Sequence, residues 1–131
     1  MSTVPAVRLN VRIDPESPIP PFEQLRAQIA LQVEAGRIQP GRRLPTVRSL
    51  ALQLDLSTGT IARAYRELEY AGIVIGRGRQ GTFVTQAPPN AYTTIERHRL
   101  LADAADVFIT SAHQLGFDES DALAAVQQQL E

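Results

Sequence analysis

A mainly α-helical protein carrying one small β hairpin is what this sequence predicts, on three observations. Apolar residues recur at helical spacing in several separate stretches. Two short β-rich runs, Ile73-Val74-Ile75 and Thr82-Phe83-Val84-Thr85, flank a glycine-rich turn. A proline-bearing segment, Gln86-Ala87-Pro88-Pro89-Asn90, then separates this part from a second helical region.

The elements follow in order. Val7, Leu9, Val11 and Ile13 alternate with Arg8, Asn10, Arg12 and Asp14, a period of two that predicts a half-buried strand. Pro15, Pro18, Pro20 and Pro21 interrupt the chain, and Pro21 suits a first helical position, where its missing N–H costs nothing. Helix 1 is expected over 21–35, burying Phe22, Leu25, Ile29 and Val33, with Gly36 as its C-terminal cap. Leu31 falls on the opposite face, which calls for a second covering surface.

Helix 2 is expected over 46–54, with Val47, Leu50, Ala51 and Leu54 at i, i+3, i+4 and i+7. Asp55-Leu56 makes the turn. Ser57 caps helix 3, its hydroxyl accepting from the free amides of the first turn. Helix 3 runs to about residue 71 with Ile61, Ala64, Tyr65 and Leu68 inward, and Gly72 ends it. The architecture is a winged helix-turn-helix followed by a helical hairpin.

After the linker, a long helix over 94–115 carries Leu101, Ala104, Ala105, Phe108, Ala112 and Leu115 on one stripe. Leu100, Val107 and Ile109 lie off it, so the helix is apolar on more than one side. Asp118 caps a last helix reaching 130. Two helices of under about 40 residues cannot enclose a core of their own, and an identical subunit is the simplest partner. The expected division is a winged helix-turn-helix DNA-binding domain over 1–86, the short N-terminal strand included, a linker over 87–93 and a two-helix dimerisation region over 94–131. Leu100, Leu101, Ala105, Phe108, Ala112 and Leu115 are the candidate dimerisation residues.

Composition narrows the function. With 131 residues and 44% hydrophobic content the chain is long enough for one domain and a small appendage. It has no cysteine, which excludes disulfides and thiolate metal sites. No stretch reaches the ~20 apolar residues of a bilayer span, and no signal-peptide pattern opens the chain. A cytoplasmic location is the expectation. The net charge of -1 conceals an asymmetry. Residues 37–79 hold eight arginines against three acids, a balance of +5, whereas residues 85–131 hold two arginines against seven acids, a balance of -5. Such a division joins a polyanion-facing module to one that stays off the polyanion.

The cations sit where a helix-turn-helix and a wing meet DNA. On the helix 3 wheel Gly59, Arg63, Arg66 and Tyr70 point away from the buried stripe. Ser57, Thr58 and Thr60 put small hydroxyls at its tip, as a helix entering the major groove requires, with cations further along for phosphates. Arg48, at the start of helix 2, reaches the DNA backbone or a base edge beside helix 3; the competing role is a surface ion pair with Asp55 or Glu67. Arg37, Arg42 and Arg43 add general positive field.

Gly76, Gly78 and Gly81 satisfy G-x-G-x-x-G, but a strand follows where the dinucleotide fingerprint needs a helix. A glycine hairpin tip bearing Arg77, Arg79 and Gln80 instead suits a wing whose arginines enter the negative potential of the minor groove. The candidate DNA-binding set is Arg48, Ser57, Thr58, Gly59, Thr60, Arg63, Arg66, Arg77, Arg79, Gln80 and Gly81. His98 and His113 are fifteen positions apart on one helix and read as surface or interface residues. No catalytic constellation, cofactor motif or metal set is visible, so an enzyme is not expected. The rival reading is a winged-helix module for protein or RNA contacts without operator binding.

Residues 20–84 closely resemble the N-terminal winged helix-turn-helix of the GntR family of bacterial transcription regulators. The matching elements are Phe22-Glu23-Gln24-Leu25, Gly41-x-x-Leu44-Pro45-Thr46-Val47-Arg48-x-Leu50-Ala51, Thr60-Ile61-Ala62-Arg63-Ala64-Tyr65-Arg66-Glu67-Leu68, Gly72 and Gly81-Thr82-Phe83-Val84. The short two-helix tail resembles that of the YtrA subfamily. This resemblance implies a homodimer that binds double-stranded operator DNA at an inverted repeat, with repression the expected outcome. It also implies that Arg48, Ser57, Thr58, Thr60, Arg63 and the residues around 79–81 contact the operator. The tip reads Ser57-Thr58-Gly59-Thr60 where relatives often carry Asn-Pro-Asn-Thr, so an operator sequence does not transfer. No pattern in the tail names an effector ligand.

Overall fold

The computed structural model describes residues 5–131; the expectation of a missing leader rests partly on residues 1–4, which lie outside them. Five helices and one hairpin appear in the order α1 (Pro21–Glu34), α2 (Val47–Leu54), α3 (Thr58–Tyr70), β1 (Val74–Gly76), β2 (Thr82–Val84), α4 (Thr94–Gln114) and α5 (Glu119–Leu130). The chain divides into two units, the first ending at Tyr92 and the second starting at Thr93.

In the first unit the boundaries follow local chemistry. Pro21 opens α1 at its first turn. Thr46 caps α2, its side chain accepting from the Ser49 amide at 3.1 Å. Asp55 ends that helix in the left-handed region at φ 55°, a conformation that Asp and Asn tolerate better than other non-glycine residues. Leu25, Ile29 and Val33 of α1, Leu50 of α2 and Ile61, Ala64 and Leu68 of α3 are buried together with Val74 and Val84 of the hairpin. Side chains of both strands therefore close one core with the three helices.

Two expectations are corrected here. Residues 7–13 form no strand ladder. The alternation is real, because Leu9 is buried and Val7, Val11 and Ile13 pack against the core, but the partner of this arm is a row of amide side chains. Gln24, Gln28 and Gln32 stand one turn apart on α1. The Asp14 amide donates to Gln24 Oε1 (2.8 Å) and Gln24 Nε2 to the Asp14 carbonyl (3.0 Å). Gln28 makes the same reciprocal pair with Arg12, at 2.9 and 2.7 Å, and Gln32 donates to the Asn10 carbonyl at 3.0 Å. A helix presents no free backbone edge, so only side-chain amides can satisfy an extended segment laid along it. The second correction is Leu31, which remains 48% exposed, without its expected covering surface among the described residues.

The hairpin pairs Val74 with Val84, Ile75 with Phe83 and Gly76 with Thr82 in antiparallel register. The segment 42–44 extends it: Leu44 N–H donates to the Thr82 carbonyl (2.8 Å), and Val84 N–H to the Arg42 carbonyl (2.9 Å). Val7 N–H then donates to the Arg43 carbonyl at 2.8 Å, which anchors the start of the arm.

The second unit is the α4–α5 pair. Thr93 caps α4 by accepting from the Glu96 amide. Asp118 and Asp121 form a reciprocal capping box on α5, and the Asp121 amide bond holds the Asp118 carboxyl below its ordinary pKa. Of the apolar side chains here, Ala112 and Ala122 are buried, whereas Leu101, Leu115, Leu123 and Leu130 are exposed. No helix is long and apolar enough to cross a membrane, among the described residues.

Candidate nucleic-acid interface

Ser57 accepts from the Thr60 amide at 3.1 Å, and the two hydroxyls lie 2.8 Å apart. Their mutual bond fixes the first turn of α3 and leaves Thr58 and Gly59 exposed at its tip. Gly59 has no structural reason to be glycine. A Cβ there would meet only Ser57 Oγ, at 3.9 Å, and its φ lies outside the left-handed region. Glycine within a helix costs up to about 1 kcal/mol relative to alanine, and neither φ nor a close contact within the fold offsets that cost here.

Arg48 lies in the first turn of α2 and is exposed. The ion pairs among the described residues are Arg26–Glu23 and His113–Glu119, so neither Asp55 nor Glu67 holds Arg48. Its backbone is fixed from α3: the Tyr65 hydroxyl, inside the core, donates to the Pro45 carbonyl at 2.7 Å. Burial raises the Tyr65 pKa far beyond the ordinary phenol range, which keeps that donor protonated. The α2 start and α3 are therefore locked together.

The wing tip is a short 3-10 turn, Gly78–Gln80. Gly78 and Gly81 have φ of 56° and 115°, left-handed values that exclude most side chains. Gly81 also lies against Arg43, whose Cδ would be 3.3 Å from a Cβ placed there. Arg79 and Gln80 project into solvent. A hollow of about 280 Å³ runs between Thr46 and Val47 on one side and Arg79 and Gly81 on the other, with Tyr65 among its walls. The α2 start and the wing tip thus border one concavity, and Tyr65 of α3 reaches it.

Three expected arginines are placed less freely. The Arg63 guanidinium lies over the Phe22 ring, 3.7 Å from its centroid, which draws it toward α1. Arg77 lies over Phe83 at 5.1 Å. Arg66 lines a shallow hollow with Glu69 and Tyr70, about 12 Å along the helix from Thr58 at 1.5 Å per residue. All three remain exposed. Sequence reasoning missed the strand-like role of 42–44 and the lodging of Arg43 beside Gly81. The signal available was the apolar Leu44 between Arg43 and Pro45, too short a run to read as a strand.

Residues 21–84 match the model of the family described as bacterial regulatory proteins, gntR family. Over 113 residues the chain is 45% identical to the HTH-type transcriptional regulator Rv1152 of Mycobacterium tuberculosis, covering 86% of this chain and 88% of that protein. The chain belongs to the GntR family. It is also 32% identical over 110 residues to the HTH-type transcriptional repressor YtrA of Bacillus subtilis, covering 82% of each. Among solved structures, AraR(DBD) in complex with operator ORX1 superposes with a TM-score of 0.53 at 25% identity, covering 60% of this chain and 100% of that one. The GntR assignment accounts for the winged helix-turn-helix, and the two relatives extend beyond it into the second unit.

In the second unit of this GntR-family regulator, Leu101 stands on α4 at 68% exposed and Leu115 at the C-cap of that helix at 74%, with Leu100, Ala105 and Phe108 also exposed. Ala112 differs from the rest of that expected set. It is 7% exposed, and the Phe117 amide donates to its carbonyl at 3.0 Å, so it serves the closure of α4 on α5.

Proposed function

We propose that this chain is a sequence-specific, operator-binding transcriptional repressor that acts as a homodimer in the cytoplasm. The carrying observation is the concavity bounded by the α2 start and the wing tip, beside a recognition-helix tip that keeps a glycine its own fold does not need. Thr58 and Gly59 enter the major groove, and Arg48 engages the adjoining backbone or base edge. Arg79 and Gln80 of the wing meet the flanking minor groove. Ser57 and Thr60 support the tip through their shared hydrogen bond, and Gly81 lets Arg43 pack beneath the wing. Arg63, Arg66 and Arg77 supply phosphate contacts from the flanks. Operator binding by AraR, whose fold the first unit shares, supports this reading, and repression follows the similarity to YtrA. In this reading the DNA-binding domain spans 1–86, a linker covers 87–93 and the dimerisation region covers 94–131. The α4 faces of two subunits pair through Leu100, Leu101, Ala105, Phe108 and Leu115, placing two recognition helices about 34 Å apart, one helical turn.

Selection of genomic fragments by the purified protein tests the proposal. The expected result is a small set of fragments sharing an inverted repeat with half-sites about one turn apart. Enrichment of unrelated fragments, or tighter binding of RNA than of duplex DNA in a parallel gel shift, would favour the rival interaction module. Gly59→Ala gives a sharper test. It is expected to raise stability by up to about 1 kcal/mol in urea denaturation while weakening operator binding, because a methyl group at the tip holds the backbone off the groove. Unchanged affinity would remove Gly59 from the contact surface.

A further inference from the structure

Arg8, Arg37 and Arg42 line one hollow of about 250 Å³, with Val7 and Ile38 completing its walls. They come from three separate segments, and each backbone is held independently. Arg8 lies between two anchors of the arm, the Val7 amide on the Arg43 carbonyl and Gln32 on the Asn10 carbonyl. The Arg37 and Ile38 amides both donate to the Gln32 carbonyl, at 2.9 and 3.1 Å, closing the end of α1. Arg42 lies on the segment paired with β2, where its carbonyl accepts from the Val84 amide. No acidic side chain lines the hollow, and none of the three guanidiniums has an ion-pair partner among the described residues. Three like charges brought to one concave site repel one another, and an anion placed among them removes that cost.

The hollow is remote from the proposed DNA-facing edge. Gly41 and Arg42 pair with Val84 at the base of the hairpin, while Leu44 pairs with Thr82 toward the tip. At about 3.3 Å per residue, Arg42 stands roughly 10 Å or more from the Gly78–Gln80 turn. A duplex lying on the α3 tip and the wing tip leaves the base of the hairpin free. We propose that Arg8, Arg37 and Arg42 form a binding site for a small, multiply charged phosphate-bearing anion. Guanidinium forks match phosphate oxygens in pairs, and a hollow of about 250 Å³ admits a pyrophosphate-sized group. The site is independent of the operator-binding reading, since it uses none of those residues.

The probe is sodium pyrophosphate, titrated calorimetrically into the full chain at low salt without DNA. Saturable binding at one site per chain is expected, reduced at least tenfold in the Arg37→Gln/Arg42→Gln variant and in Arg8→Gln combined with either. Arg48→Gln, on the other edge, is expected to bind as the unaltered chain does. No binding, or an equal loss in Arg48→Gln, would reduce the cluster to general positive charge and overturn the proposal. A gel shift with selected genomic DNA separates the two sources of phosphate. Operator affinity within threefold of the unaltered chain supports a free anion. A large loss with a shallower salt dependence would assign these arginines to the DNA backbone and overturn it. The three side chains are exposed, so circular dichroism should show every variant folded.

Discussion

Leu101→Asp is expected to leave the protein monomeric and to lower affinity for a full inverted repeat by about 100-fold or more, while binding to one half-site stays nearly unchanged. Leu101 sits on α4 with two-thirds of its surface exposed, and it does not line the hollow between α4 and α5, whose walls include Phe108, Leu115 and Phe117. Its replacement therefore spares the internal closure of the helical pair. A carboxylate in an apolar subunit interface loses its water without gaining a partner, which costs several kcal/mol. Loss of pairing turns bivalent binding into two independent events, and that alone removes about two to four powers of ten. Sedimentation gives the oligomeric state and a gel shift gives the affinities. If the unaltered protein sediments as a monomer at micromolar concentration, or if Leu101→Asp stays dimeric, the α4 face is not the interface. Phe108→Asp should dissociate the dimer too, but it also disturbs the α4–α5 hollow, so a melting curve must accompany it.

Arg48→Ala should weaken operator binding by about 1–3 kcal/mol, roughly 5- to 150-fold, with no comparable loss of stability. Arg48 is exposed, and no acid among the described residues holds it. The Thr46 cap and the Tyr65–Pro45 hydrogen bond keep α2 in place without it. The manner of the loss identifies the contact. A uniform weakening across sequences, with a salt slope reduced by about one, means a phosphate. Relaxed discrimination at one position of the half-site means a base edge. Undiminished affinity would take Arg48 out of the interface.

The helices were legible because their determinants are local. Ser57 precedes the apolar stripe of α3 and caps it, Pro21 opens α1, and Asp118 opens α5, all within a few residues of the structure they specify. The hairpin was equally plain from two short β-rich runs around a glycine-rich turn. The residues 7–13 were misread because period-two alternation reports only that alternate side chains are buried. It says nothing of what satisfies the backbone.

Sequence by itself determined the positions of the five helices, the wing, the basic and acidic halves and the family, because each is carried by neighbouring residues or by a motif. Only the tertiary structure decided where the long side chains go. Arg63 lies on Phe22 and Arg77 on Phe83, and Arg43 packs beneath Gly81. The glutamines of α1 bind the arm, and three arginines from distant segments share one hollow. Those placements depend on which surfaces the folded backbone brings together. A flexible four-atom stem can follow any of several surfaces, and spacing along the chain does not distinguish them.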